Sequence, residues 1–208
     1  MLDRGQANPH AGIMIDRLLT FLRPLLSANL PWANFFTVLR LALIPMIVGL
    51  LAIAAGWSGW LAWFLFLVAA ASDWLDGYLA RRLQQQSAFG ICLDPIADKV
   101  LVLVVLMTLL TLQQLPAIAL IPVGLILTRE VLVAGLREFL ALRQLPMPVT
   151  YLAKVKTTLQ LLCLTLLLLP IPSAQAGGQW LLWISAAVTA YTGLQYAWQA
   201  RKHMGLAL

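Results

Sequence analysis

Residues 72–82, SDWLDGYLARR, and residues 89–99, FGICLDPIADK, are the most informative part of this chain. They hold four of its eight acidic residues, which are Asp73, Asp76, Asp94 and Asp98. The first pair is three residues apart and the second pair four, so on helices each pair shares one face. Carboxylates this close repel one another unless cations lie between them, and Mg²⁺ typically bridges carboxylates to substrate phosphates. The pattern therefore predicts a divalent-metal site.

An alternative is that the four aspartates serve only as salt-bridge partners for Arg81, Arg82 and Lys99. Four acids outnumber these three bases, and ionisable groups within membrane helices are costly and usually functional. We therefore favour the metal site. Asp94 precedes Pro95, the pattern of a helix N-cap followed by proline at the first helical position. Asp94 is therefore also expected to cap a helix.

The rest of the chain is strongly apolar. Of its 208 residues, 62% are hydrophobic and 11% are charged, and the mean hydropathy is +0.88. These values indicate a polytopic membrane protein, in which each spanning helix needs roughly 20 apolar residues. We expect an all-α fold with six transmembrane helices, at residues 35–55, 59–82, 93–113, 117–142, 148–170 and 178–199.

Basic residues indicate the orientation in the membrane. The connections near 56–58, 112–117 and 171–178 hold no lysine or arginine, whereas the other connections and both terminal segments do. By the positive-inside rule, both termini and the aspartates face the cytoplasm. The net charge of +6 then reflects topology and affinity for anionic lipids, and its dispersal argues against nucleic-acid binding.

The N-terminal segment differs from the spans. Residues 11–28 alternate apolar pairs with charged residues, which favours an amphipathic helix lying in the membrane interface over a disordered leader. We therefore divide the chain into residues 1–28, a tail with an interfacial helix, and residues 29–208, a six-helix membrane domain.

Two further sets of residues share a face with their neighbours. Asn34, Thr37 and Arg40 open the first span at intervals of three residues. Arg40 either extends to the lipid headgroups or, as its polar neighbours favour, faces inward toward an anion. In the second span, Gly77 and Ala80 lie on the side of the aspartates, where small residues leave room for another helix or a planar ligand.

Basic residues on the fourth and fifth spans add positive charge at the same end of the bundle, namely Arg129, Arg137, Lys154 and Lys156. Glu130 and Glu138 would neutralise or orient them, and extension to the headgroups is the alternative for the two lysines. A metal cage beside cations suits one substrate with two linked phosphates and a second substrate with its own anionic group. Asp98, one turn beyond Asp94, is the candidate base for an attacking hydroxyl.

The pattern Asp73-x-x-Asp76-Gly77-x-x-Ala80-Arg81, followed by Gly90-x-x-x-Asp94-x-x-x-Asp98, resembles the signature of the CDP-alcohol phosphatidyltransferases at every position. The resemblance implies a six-helix bundle that binds two divalent cations, Mg²⁺ or Mn²⁺. It also implies transfer of a phosphatidyl group from a CDP-lipid to an alcohol with release of CMP. By resemblance, the four aspartates hold the metals and Asp98 is also the catalytic base. Residues assigned to the CDP-lipid are Gly77, Ala80, Arg81, Asn34 and Thr37.

A second set of residues resembles one branch of that family, the bacterial phosphatidylglycerophosphate synthases. It comprises Asn34-x-x-Thr37-x-x-Arg40, Asp94-Pro-Ile-Ala-Asp-Lys99, Arg129-Glu130, Leu136-Arg137-Glu138 and Lys154-Val-Lys-Thr-Thr158. The resemblance implies CDP-diacylglycerol as donor, sn-glycerol 3-phosphate as acceptor, a site on the cytoplasmic face of the bacterial inner membrane, and a homodimer. The candidates for the acceptor's phosphate are Arg40, Arg129, Arg137, Lys154 and Lys156.

Three alternatives remain at this point. A sibling enzyme with the same core, either a CMP-forming cardiolipin synthase or an inositol-phosphate transferase, would use another acceptor. A cation transporter would use the aspartates as an ion pathway, but all four cluster at one end of the membrane. A protein that binds a CDP-lipid without turnover would not need the intact motif.

Overall fold

The computed structural model of the chain describes residues 32–53, 55–83, 88–145 and 150–203, and it describes side chains outside 32–34, 73–92 and 202–203. Within these residues the chain forms six α-helices and one short 3-10 turn, and no β-strand. The helices are α1 (Trp32–Ile53), α2 (Gly56–Leu83), α3 (Ala88–Thr111), α4 (Leu120–Leu142), α5 (Tyr151–Leu168) and α6 (Pro172–His203).

The predicted all-α fold is confirmed for the described part of the chain, and each predicted span lies on one of the six helices. Three described segments are long and apolar enough to cross a membrane, namely Phe35–Ile53, Ala117–Leu142 and Tyr151–Leu168. The chain is therefore a helical membrane protein. The count of six spans stays a prediction, and the expected interfacial helix at residues 11–28 falls outside the described residues.

The predicted N-cap at Asp94 is wrong. Helix α3 begins at Ala88, so Asp94 and Pro95 lie inside the helix. Proline fixes a backbone angle that a helix also uses, and it removes only one N–H, so the helix continues through it at the expense of one hydrogen bond. The consequence for the site is that Asp94 and Asp98 both lie on a continuous helix.

Helix packing divides the molecule into two neighbouring groups. Helix α1 packs against α2 and α3, while α6 packs against α4 and α5, and α2 meets α5 between them. The larger core fills the first group and its junction with α5, around Ile47, Phe66, Val105 and Leu164. A smaller core lies between α4 and α6, around Val133, Leu140, Tyr196 and Ala200. Many large apolar side chains remain on the outside, as expected for helices surrounded by lipid.

Small residues let α6 approach its neighbours closely. A Cβ added at Gly178 would lie 2.9 Å from the backbone nitrogen of Leu167 on α5, so only glycine fits at this crossing. The Cys163 thiol lies 3.4 Å from the Gly178 carbonyl oxygen and donates a weak hydrogen bond to it. Close approach at small residues is a common way to stabilise helix pairs in membranes. It fixes α6 against α5 within the larger core, to which Cys163 and Leu167 belong.

Candidate active site

Two acidic residues of α3 meet two polar residues of α1. Thr37 Oγ1 donates a hydrogen bond to Asp94 Oδ1, and Arg40 Nη1 donates to Asp98 Oδ1 at 2.5 Å. The helical spacings agree, since Thr37 and Arg40 are three residues apart and the aspartates are four apart. We call these four residues the acidic edge.

The acidic edge is buried on one side and open on the other. The Arg40 side chain is 1% exposed, whereas the Asp98 side chain is 40% exposed. Arg40 therefore lies inward, behind Asp98, and does not extend to the headgroups. The ion pair with the guanidinium restricts the rotation of the Asp98 carboxyl group. Asp98 is thus held in one orientation, with part of its surface accessible.

A second cluster is centred on Glu130 of α4. Glu130 Oε1 accepts from Lys156 Nζ in a close ion pair, from Gln160 Nε2 at 3.3 Å and from Arg129 Nη1 at 3.5 Å. None of these residues is more than 9% exposed. We call the four residues the basic wall. A buried carboxylate needs such partners, because an unpaired charge in a low-dielectric interior is very costly.

The basic wall carries more positive than negative charge. Arg129 and Lys156 are two cations that share one carboxylate, Glu130. Among the described residues, Arg129 Nε and Nη2 are buried and have no hydrogen-bond partner. Buried donors without acceptors are rare in proteins and usually indicate a missing ligand, ion or water. The surplus charge and the two guanidinium nitrogens make the wall a candidate site for an anion.

A cavity of about 180 Å³ joins the acidic edge to the basic wall. Asp98 lines it from α3, Arg129 and Glu130 line it from α4, and Lys156 and Gln160 line it from α5. A single water molecule occupies about 30 Å³ of liquid, so the space suits a small polar molecule. Such a molecule would contact a carboxylate and a surplus of cations at the same time.

The predicted phosphate-binding residues have different environments. Arg129, Arg137 and Lys156 line the cavity, whereas Arg40 is held against Asp98 and Lys154 is exposed on α5. The hydroxyls of Thr157 and Thr158 donate to carbonyls of their own helix, at 3.1 and 3.2 Å.

Several cavity-lining residues were not predicted as site residues, among them Lys99, Gln160 and Tyr196. Lys99 Nζ donates to the Pro95 carbonyl at 2.8 Å, within its own helix. For Gln160, a polar residue in the middle of an apolar span was an available signal, because buried polar groups in membranes are usually paired. Tyr196 carries no comparable signal on its own.

Several predicted site residues lie where only the backbone is described. Asp73, Asp76, Gly77, Ala80 and Arg81 all belong to the last part of α2, and Asn34 to the first turn of α1. Their side chains fall outside the described residues, so the four-carboxylate cage and the cytidine pocket stay predictions.

The described carboxylates are suitable metal ligands. Asp94 and Asp98 lie one turn apart on α3, both partly exposed, and hard cations such as Mg²⁺ prefer carboxylate oxygens. Among the side chains that the structure describes, no three acidic, histidine or cysteine residues come together. The other two predicted ligands, Asp73 and Asp76, lie in the part of α2 for which only the backbone is described.

These features define a helical membrane protein with a charged internal cavity beside a pair of carboxylates. A sequence model of the CDP-alcohol phosphatidyltransferase family matches residues 30–191. The chain belongs to that family, and it is an enzyme of the transferase class.

Curated relatives with one shared name are more specifically similar to the chain than the family model is. The chain is 41% identical over 180 residues to a CDP-diacylglycerol–glycerol-3-phosphate 3-phosphatidyltransferase of Rickettsia bellii, a match that covers 84% of this chain and 97% of the relative. It is 37% identical over 176 residues to the Escherichia coli K12 protein of the same name, covering 83% of this chain and 95% of the relative. A Cereibacter sphaeroides protein of that name is 45% identical over 137 residues, 65% of this chain and 62% of the relative.

Proposed function

We propose that this protein transfers the phosphatidyl group of CDP-diacylglycerol to sn-glycerol 3-phosphate, giving phosphatidylglycerophosphate and CMP. The observation that carries the proposal is one cavity lined both by a carboxylate, Asp98, and by a surplus of buried cations. The names of the relatives agree with this reaction. A sibling reaction with another acceptor is the alternative that the experiment below distinguishes.

The basic wall supplies the binding site for the acceptor's phosphate. Arg129 offers two nitrogens that have no partner among the described residues, and Lys156 adds a second buried positive charge. Arg137 lines the same cavity from the next turns of α4. A phosphate that receives charge-assisted hydrogen bonds from an arginine is held in position as well as neutralised. A neutral acceptor would leave the surplus charge uncompensated.

Asp98 is the general base in this proposal. Its carboxylate takes the proton of the acceptor hydroxyl as the hydroxyl oxygen forms a bond to the phosphorus of the phosphatidyl group. The bond from that phosphorus to the bridging oxygen breaks, and CMP leaves with the bonding electron pair. Arg40, whose Nη1 lies 2.5 Å from Asp98 Oδ1, holds the carboxylate in position for this proton transfer.

The family resemblance also implies two divalent cations, Mg²⁺ or Mn²⁺. Asp94 and Asp98 would hold them together with Asp73 and Asp76. When bound, the cations would neutralise the linked phosphates of the donor. Thr37 donates to Asp94 and so fixes the orientation of that carboxylate. Gly77, Ala80, Arg81 and Asn34 remain the proposed contacts of the CDP-lipid.

The proposed setting is the cytoplasmic face of the bacterial inner membrane. Six spans place both termini and the cavity on that side, according to the distribution of basic residues. The lipid donor would enter sideways from the bilayer and the water-soluble acceptor from the cytoplasm. The interfacial helix at residues 11–28 and a homodimer belong to the same proposal.

The test is CMP release by the purified protein in detergent with CDP-diacylglycerol and Mg²⁺. Parallel reactions contain glycerol 3-phosphate, phosphatidylglycerol or inositol 1-phosphate. We expect release with glycerol 3-phosphate only, and a fall in kcat of about 10²–10⁴-fold in Asp98→Asn, the usual contribution of a general base. Glu138→Gln, the same change at an exposed residue of α4, is the matched control. Release with another acceptor would keep the family and overturn the proposed acceptor.

A further inference from the structure

Helix α6 has no role in the reaction as proposed so far, yet one face of it touches the basic wall. Thr189, Gly193 and Tyr196 are separated by four and three residues, so they lie in a row on that face. Thr189 and Tyr196 are at most 1% exposed. We call these three residues the α6 seat. Each of them contacts a different part of the basic wall.

Gly193 makes room for Arg129. A Cβ added at Gly193 would lie 2.8 Å from Arg129 Cγ, closer than real Cβ atoms approach other heavy atoms. The aliphatic part of Arg129 therefore occupies the space that a side chain at position 193 would need. Any larger residue would push Arg129 away, and the guanidinium at its end would leave its place in the cavity.

Tyr196 supports the other end of the same side chain. The Arg129 guanidinium carbon lies 5.6 Å from the centre of the Tyr196 ring, within the range of a cation–π contact. The Tyr196 hydroxyl accepts a hydrogen bond from the backbone N–H of Thr150 at 3.2 Å. Thr150 is the N-cap of α5. Tyr196 thus positions both Arg129 and the beginning of the helix that carries Lys156.

Thr189, the third residue of the seat, is linked to Glu130 through Gln160. Gln160 Nε2 lies 3.3 Å from Thr189 Oγ1 and 3.3 Å from Glu130 Oε1, so it links α6 to the carboxylate that holds Lys156. Both cations of the basic wall are therefore held from α6. Arg129 is held directly, and Lys156 is held through Gln160 and Glu130.

We propose that the α6 seat consists of positioning residues that place Arg129 and Lys156 for the acceptor's phosphate. The inference rests on the proposed function and adds a role for α6. Gly193 and Thr189 contribute no reacting group. Their effect is on the affinity for the acceptor, because a phosphate that reaches misplaced cations loses charge-assisted hydrogen bonds. The CDP-lipid is bound elsewhere, so its affinity should be independent of the seat.

The first experiment compares Gly193→Ala with Gly177→Ala in the purified full-length protein. Both glycines lie in α6, and an added Cβ at Gly177 meets nothing within 4 Å. Alanine is the better helix former, so a loss in either variant does not come from a weaker helix. We expect Gly193→Ala to raise the KM for the acceptor by about 10-fold, the scale of one charge-assisted hydrogen bond. The KM for CDP-diacylglycerol should stay within about 2-fold, and Gly177→Ala should match the wild type on both constants.

The second experiment tests the contact itself. Gly193→Ala is introduced into an Arg129→Ala protein, which lacks the Cγ atom that the new methyl group would meet. If the seat acts through Arg129, the second substitution has no further effect on the KM for the acceptor. A general packing defect would lower activity equally in both backgrounds, and that result would overturn the inference.

Tyr196 gives an independent test that does not depend on a glycine. Tyr196→Phe keeps the ring beneath Arg129, whereas Tyr196→Leu removes it. We expect the leucine variant to raise the KM for the acceptor by about 3–10-fold more than the phenylalanine variant, the scale of a cation–π contact. Equal values for the two variants would contradict the proposed role of the ring.

The outcomes separate the two proposals. The KM values of the Gly193 and Tyr196 variants are measured with whichever anionic acceptor releases CMP from the wild-type protein. Release with an acceptor other than glycerol 3-phosphate would overturn the proposed function, and the same constants would still test the seat. An active wild type in which Gly193→Ala behaves like Gly177→Ala would overturn the inference alone.

Discussion

The acidic edge and the basic wall differ in how their charged groups are paired and in how far they are exposed. At the edge, each carboxylate of α3 has a partner on α1, and Asp98 remains 40% exposed. In the wall, two cations share one carboxylate and all three groups are buried. An exposed carboxylate can exchange protons and bind cations, whereas a buried surplus of positive charge is stabilised by an anionic ligand. The difference agrees with the proposed roles, in which the edge performs the chemistry and the wall binds the acceptor.

Metal removal should produce the largest difference between the two regions. In the proposed reaction, the carboxylates of the edge bind the donor's phosphates through divalent cations, whereas the wall binds the acceptor's phosphate through Arg129 and Lys156. We expect chelation with EDTA to abolish CMP release, and Mg²⁺ or Mn²⁺ to restore it. The measurement is the initial rate of CMP release before and after metal replacement. A chelated protein that keeps its full rate would show that the edge does not act through metals.

Neutralising Glu130 should destabilise the wall. Glu130→Gln keeps the shape of the side chain but leaves Arg129 and Lys156 without their carboxylate. Breaking a buried pair in this way costs about 3–5 kcal/mol, so denaturant unfolding in detergent should begin earlier. The exposed Glu138→Gln variant serves as control and should unfold like the wild type. Coincident unfolding of the two variants would mean that the wall does not depend on Glu130.

Lys154 and Lys156 of α5 should differ in their contribution to acceptor binding. We expect this difference to be the smallest of the three effects. Lys156 lines the cavity and Lys154 is exposed. We expect Lys156→Met to raise the KM for glycerol 3-phosphate by about 10–100-fold, since hydrogen bonds to charged groups contribute about 1.5–3 kcal/mol. Lys154→Met should leave this KM nearly unchanged. Equal effects in the two variants would remove the distinction between a buried wall and an exposed surface.

The same two lysines show what sequence patterns can and cannot predict. Each residue of a helix is rotated by about 100° about the helix axis relative to the previous one, so side chains two residues apart differ in direction by about 200° and lie on nearly opposite faces. Lys154 and Lys156 therefore cannot both face the cavity. Gln160 lies one turn beyond Lys156, and this polar neighbour was the available signal for which lysine is buried. The helices themselves were predictable because long apolar runs leave few other structures in a membrane.

Pairings between distant residues were harder to predict. Thr37 and Arg40 share a face in any helix, yet their partners lie 57 and 58 residues further along the chain. Gln160 and Tyr196 acquire their roles only when α4, α5 and α6 pack together. The start of α3 was misjudged because a proline after an aspartate also occurs inside helices. Local patterns set the faces of the helices, and the packing of the helices sets the partners.

The contacts of the acidic edge also determine the direction of α1 relative to α3. Thr37 pairs with Asp94 and the later residue Arg40 pairs with the later residue Asp98, so α1 and α3 run parallel to each other. Two parallel neighbours require the chain to return between them, and α2 is the segment that connects them. Its 28 residues extend about 42 Å at 1.5 Å per residue, enough to cross a bilayer. The pairing of four side chains thus supports a membrane crossing by α2, the helix whose last part carries Asp73 and Asp76.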